Sequence, residues 1–119
     1  MKTAKKHTKI SSGTLKKYKM HKNDGWIHLE VAGTPREIGF THGKLLRNEL
    51  KQVLKVLPYN VEQELKIPYA QYLRDCKRIF TPILDGDEWR FIKEELQGIV
   101  AGASLKDVTY DFLVAWNSF

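Results

Sequence analysis

The sequence predicts a mainly helical α+β chain. Apolar residues recur at helical spacing in four separate stretches, one short segment alternates apolar and polar, and turn or cap residues stand between them. The 119 residues suffice for one small domain, and 42% hydrophobic residues with three Trp argue for a packed core rather than disorder.

The formal charge is +6, and it is unevenly spread. Residues 1–22 hold eight Lys and no acid, while twelve Lys or Arg and all fourteen Asp or Glu follow from 23 onward. This predicts a flexible basic tail over 1–22 ahead of a slightly acidic body over 23–119. Such a tail is either solvated or an electrostatic attachment to nucleic acid or another anionic surface. Tyr18 is its sole aromatic, which is thin for base stacking, and no zinc-finger or RNA-binding motif is present. Nucleic acid is therefore not the expected partner. One cysteine, Cys76, excludes an internal disulfide and a multi-cysteine metal site. No run of 18 apolar residues exists, so no membrane-spanning helix is expected. The Lys-rich N-terminus lacks the apolar stretch of a secretory signal, which predicts a cytoplasmic chain or one from which a signal has been removed.

Asn23-Asp24-Gly25 is a turn signal. From Trp26 to Val31 the chain alternates, with Ile27, Leu29 and Val31 on one face and Trp26, His28 and Glu30 on the other. That predicts one strand with one buried face, and His28 as an exposed cross-strand neighbour.

The first helix is expected from Pro35 to about Val56. Thr34 can cap it, Pro35 suits its first position, and Glu37 stands at the capping-box spacing. Arg36 and Glu37 are read as helix-start chemistry. Gly39 and Gly43 lie four residues apart inside this helix. Each costs about 1 kcal/mol against Ala, and together they form a face that another backbone can approach. His42 lies on the adjoining apolar stripe with Ile38, Leu45, Leu46, Leu50, Val53 and Leu57. Leu57-Pro58-Tyr59-Asn60 should break the helix, leaving a short helical piece over Val61–Leu65.

A second helix is expected over Tyr69–Ile83, with Tyr69, Tyr72, Leu73, Cys76, Ile79, Phe80 and Ile83 in its apolar stripe. Cys76 inside that stripe reads as a small buried hydrophobe rather than a nucleophile. Asp87 is a plausible cap for a third helix over Glu88–Ala101, which turns Trp89, Ile92, Leu96, Ile99 and Val100 inward. Gly98 and Gly102 repeat the four-residue glycine spacing, and Gly102 is also a candidate helix stop. Ser104 to Asp107 offers the next cap. The last helix packs Val108, Phe112, Leu113, Ala115, Trp116 and Phe119. Every helix has an apolar face, yet one strand cannot make a sheet. The chain also reaches Phe119 in an apolar helix without a cap, so the expectation is a part of a larger fold.

Three blocks carry a family resemblance. Residues 33–43, Gly-Thr-Pro-Arg-Glu-Ile-Gly-Phe-Thr-His-Gly, look like a G-T-P-x-E-I-G-x-x-H-G opening. Residues 94–103, Glu-Glu-Leu-Gln-Gly-Ile-Val-Ala-Gly-Ala, are similar to an E-x-x-G-I-A-x-G-A helix, and residues 111–117 to an apolar segment ending in L-N or W-N. In this order they resemble the N-terminal part of the N-terminal-nucleophile hydrolases of the penicillin acyl-CoA acyltransferase (isopenicillin N acyltransferase-like) family, to which phospholipase B-like and acid ceramidase-like proteins are related.

The resemblance implies a four-layer αββα fold in which this α chain contributes one strand and helices packed on a sheet from a second, β chain. It implies a zymogen that cleaves its own backbone, and an obligate heterodimer or a higher oligomer of it. The activity implied is amide hydrolysis or acyl transfer on a small linear amide or acyl thioester, with a thiol nucleophile and no cofactor or metal. The catalytic Cys is then absent from this chain, because Cys76 precedes both later blocks. Processing is expected near Phe119. His42, Gly39, Gly43, Trp116 and Asn117 become supporting candidates: His42 as a buried histidine bonded to backbone or a residue near the nucleophile, Asn117 as a backbone partner across the fold. The alternative reading is a small basic helical nucleic-acid-binding module. A third is a structural helical partner without chemistry.

Overall fold

The computed structural model describes residues 17–119. The chain runs β1 (Lys17–Asn23), β2 (Trp26–Ala32), α1 (Pro35–Leu45), α2 (Arg47–Leu65), α3 (Tyr69–Leu84), a 3-10 turn (Asp87–Trp89), α4 (Arg90–Ala103) and α5 (Tyr110–Ser118). This is an α+β chain of five α-helices with a two-stranded sheet. The flexible tail expected over 1–22 falls partly on residues 1–16, which lie outside the described residues. From Lys17 onward the expectation is corrected, because that segment is a strand.

β1 and β2 form an antiparallel hairpin in which Tyr18 faces Val31, Met20 faces Leu29 and His21 faces His28. The turn places both Asp24 (φ 49°) and Gly25 (φ 83°) in the left-handed region. That is the two-residue hairpin turn whose twist suits the flanking strands. Tyr18, Met20, Ile27, Leu29 and Val31 are half-buried, while Trp26, His28 and Glu30 are exposed. The alternation expected for β2 therefore holds, and the strand finds its partner within the chain.

Thr34 starts α1 through the expected reciprocal bonds. Glu37 N donates to Thr34 Oγ1 at 3.2 Å, and Thr34 N donates to Glu37 Oε1 at 3.0 Å. Gly33 precedes it at φ 137°, where a β-carbon would lie 2.7 Å from Glu37 Oε1. Only glycine serves there.

The single helix expected over 35–56 is instead two. Leu46 (φ −106°, ψ 27°) leaves helical geometry, and α2 then passes through Pro58 to Leu65. Both differences have physical reasons. α1 meets α4 at backbone distance, whereas α2 packs through the side chains of Leu50, Leu57 and Val61. Side-chain packing needs axes 8–10 Å apart, so one straight helix could not serve both contacts. At Pro58, burial of Leu57 on one side and Val61 on the other holds the helix together despite the lost hydrogen bond.

α3 follows its expected bounds, with Tyr72 and Cys76 buried. Tyr72 Oη donates to the carbonyl of Ala115 at 2.8 Å, tying α3 to α5. The remainder of the stripe is corrected, because Ile79, Phe80 and Ile83 are exposed. Trp89 and Phe119, both expected inside, are also exposed. α4 runs through Gly102 and ends at Ser104, which takes the left-handed cap conformation (φ 51°). The cap of α5 is Thr109, whose Oγ1 accepts from Phe112 N at 3.0 Å, in place of Ser104–Asp107. Phe112, Leu113, Val114 and Ala115 are all buried, so α5 is covered around its circumference and forms the centre of the core.

Candidate functional site

The most extensive packing in the molecule joins α1 to α4. It is reciprocal. A β-carbon on Gly39 would overlap the carbonyl of Glu95, and one on Gly43 that of Ile99. In the other direction, a β-carbon on Gly98 would overlap the carbonyl of Arg36, and one on Gly102 that of Phe40. The four glycines let the two helices touch main chain to main chain. Arg47 closes the end of this seam: its Nε donates to the carbonyl of Ala103 at 2.8 Å, satisfying one of the terminal acceptors of α4. The sequence alone does not single out Arg47 for this contact. The signal available was its position four residues after Gly43, continuing the Gly39–Gly43 spacing.

The opposite side of α4 borders a cleft of about 500 Å³. Phe80, Ile83 and Leu84 of α3, Trp89 of the 3-10 turn, Ile92 and Leu96 of α4 and Val114 of α5 make its apolar walls. Glu95, Asn117 and Ser118 supply its polar groups. Glu95 belongs to both features, with its carbonyl against Gly39 and the residue in the cleft lining. The glycine seam therefore fixes where one cleft wall stands.

Asn117 Nδ2 donates to the carbonyl of Leu113 at 2.8 Å, and Ser118 Oγ to that of Val114 at 2.7 Å. These bonds lie inside α5, so the cross-fold bond expected of Asn117 is corrected. Asn117 also lines the cleft. Trp116 is half-buried and stacks on Phe112, centroids 6.4 Å apart, away from the cleft lining. Phe119 lies edge-on to Tyr72 at 6.3 Å.

His42 is half-buried on α1, and burial lowers its pKa below the usual histidine value. Its ring makes no hydrogen bond among the described residues, so the bond to backbone expected of it is corrected. Neither His42, Gly39 nor Gly43 lines the cleft. Cys76 is a free, buried thiol one turn from Tyr72. Burial first, and then the hydrogen bond with Cys76, raise the Tyr72 phenol well above its ordinary value. His28 is exposed, as expected, with Nε2 2.9 Å from Glu30 Oε2. Hydrogen bonding to His28 holds the Glu30 carboxyl below its usual range.

The cleft lining contains neither histidine nor cysteine. Among the described residues no cluster of three His, Cys, Asp or Glu could hold a metal ion, and no helix is long and apolar enough to cross a membrane. Chemically, the cleft can seat an apolar group beside the polar residues Glu95, Asn117 and Ser118, but its lining holds no Cys–His or Ser–His pair. Comparison with protein-family models, with curated proteins and with solved structures gives no match to this chain.

Proposed function

We propose that this chain is the α part of a self-processing N-terminal-nucleophile cysteine hydrolase or acyltransferase, completed by a β chain of the same precursor. The observation that supports it best is the mating of Gly39 and Gly43 with Gly98 and Gly102. These glycines come from two of the three sequence blocks that carry the resemblance, and they bear on each other as one interlocking element. The exposed apolar wall of Phe80, Ile83 and Trp89 supports it too, as a face for the partner chain or an acyl group.

In this reading the partner's terminal Cys attacks the acyl carbonyl of an amide or thioester. Its own α-amine, titrating near 8, takes the thiol proton and passes it to the leaving amine or thiol. Water or an acceptor amine then releases the acyl group from the thioester. The chain described here positions that centre: the seam holds α4, and α4 with α5 presents Glu95 and Asn117.

Thiol labelling of the native protein tests this. With Cys76→Ala, an alkylating agent should still abolish amide or thioester cleavage and should label the partner chain. Cleavage that disappears in Cys76→Ala while the variant keeps its fold would overturn the reading.

A further inference from the structure

A second cleft, of about 480 Å³, lies between the first turns of α2 and the loop 104–109 that joins α4 to α5. It shares no residue with the cleft bordered by Phe80 and Trp89. Lys51 and Lys55, four residues apart on α2, line it together with Lys106 of the loop. Like charges at that spacing repel, and Lys106 adds a third. Asp107 is the one acid of the lining, so three lysines stand against one carboxylate. None of the three lysines has a carboxylate within ion-pair distance among the described residues. Glu49, the one acid of residues 44–56, lies 4.0 Å from Lys22 instead. Asn48 and Gln52 add amides to the same lining. An adjoining cleft of about 330 Å³ shares Leu54 and Asp107 with the first and continues onto Tyr69, Leu73 and Phe112. Its further acid, Asp111, is paired with Lys77 at 3.6 Å. The groove is therefore basic at one end and apolar at the other.

We propose that this groove binds a phosphate monoester of a small apolar group, with the phosphate among Lys51, Lys55 and Lys106 and the apolar group against Leu54, Tyr69 and Leu73. The charge count selects phosphate over carboxylate. Three ammonium groups less Asp107 match a monoester, which carries a charge of about −1.5 to −2 at pH 7. Lysine binds phosphate as a compact point charge, and the amides of Asn48 and Gln52 can donate to its remaining oxygens. The size of the two clefts is that of a small-molecule site, about 300–1,000 Å³. The proposal is independent of the enzymatic reading, because the two sites have no residue in common. A soluble ester and a lipid headgroup offer the same chemistry, and the test separates them.

Titration calorimetry of the full chain with hexyl phosphate provides the test. Saturable binding is expected, weakening as salt is raised. Methyl phosphate, which lacks the apolar group, should bind about ten-fold more weakly. Lys51→Gln, Lys55→Gln and Lys106→Gln should each weaken hexyl phosphate about five-fold. Lys19→Gln, on the hairpin, should leave it unchanged, and the circular dichroism of each variant reports its fold. Co-sedimentation with phosphatidate vesicles that is lost in the same three variants would make the ester a lipid, and its absence would make it a soluble one. Hexanoate binding as tightly as hexyl phosphate would overturn the proposal. So would full binding by the folded variants, or an equal loss in Lys19→Gln.

Discussion

Gly39 and Gly98 lie against each other's helices. A β-carbon on the first would overlap the carbonyl of Glu95, and one on the second that of Arg36. Gly→Ala in a helix ordinarily gains about 1 kcal/mol, so the sign of the change is diagnostic. Gly39→Ala and Gly98→Ala are each expected to destabilise by about 2 kcal/mol or more, measured by chemical denaturation, because both helix backbones must shift. A gain in stability would mean that the helices stand further apart.

Tyr72 reaches from α3 to the carbonyl of Ala115 in the middle of α5. Tyr72→Phe should cost about 1–2 kcal/mol, since it leaves a buried acceptor unpaired. A spectroscopic titration of the five tyrosines should show one that ionises well above the ordinary range, and that one should vanish in Tyr72→Phe.

His42 gives a pH dependence of definite sign. Its folded-state pKa is lowered by burial, so below about 6.5 the unfolded chain takes up a proton that the folded chain resists. Stability should therefore fall as pH drops through that value, and rise as pH returns. His42→Gln should flatten this part of the stability–pH curve. An unchanged curve would place His42 in water.

Pro58 offers a gain. Its ring removes a donor from the middle of α2, which runs on to Leu65. Pro58→Ala restores that donor and should raise stability by about 1–3 kcal/mol in thermal unfolding.

The parts legible in sequence are those whose signal is local. Thr34 and Glu37 advertise their capping box within four residues, and the structure forms it. Trp26–Val31 shows its alternation directly. The glycine pairs were legible as spacing, but their mutual fit joins residues some sixty positions apart and needed coordinates. β1 was hidden because lysines surround Tyr18 and Met20, and pairing with β2 supplies the order that composition denies. Pro58 misled because a local breaker was outweighed by burial of Leu57 and Val61. Leu46 carries no Gly or Pro to announce its break. The cleft was half legible: the α3 stripe reads as apolar throughout, while its exposure at Ile79, Phe80 and Ile83 depends on what the other helices leave uncovered.

In the proposed function, the exposed wall at Phe80, Ile83 and Trp89 is the face a second chain would cover. Intact mass and N-terminal sequencing of the protein purified from its native source test that arrangement most directly. The expected result is this chain together with an equal amount of a second polypeptide that begins with cysteine. A single 13.8 kDa species that stays monomeric, unfolds cooperatively and binds no hydrophobic dye at that wall would contradict it.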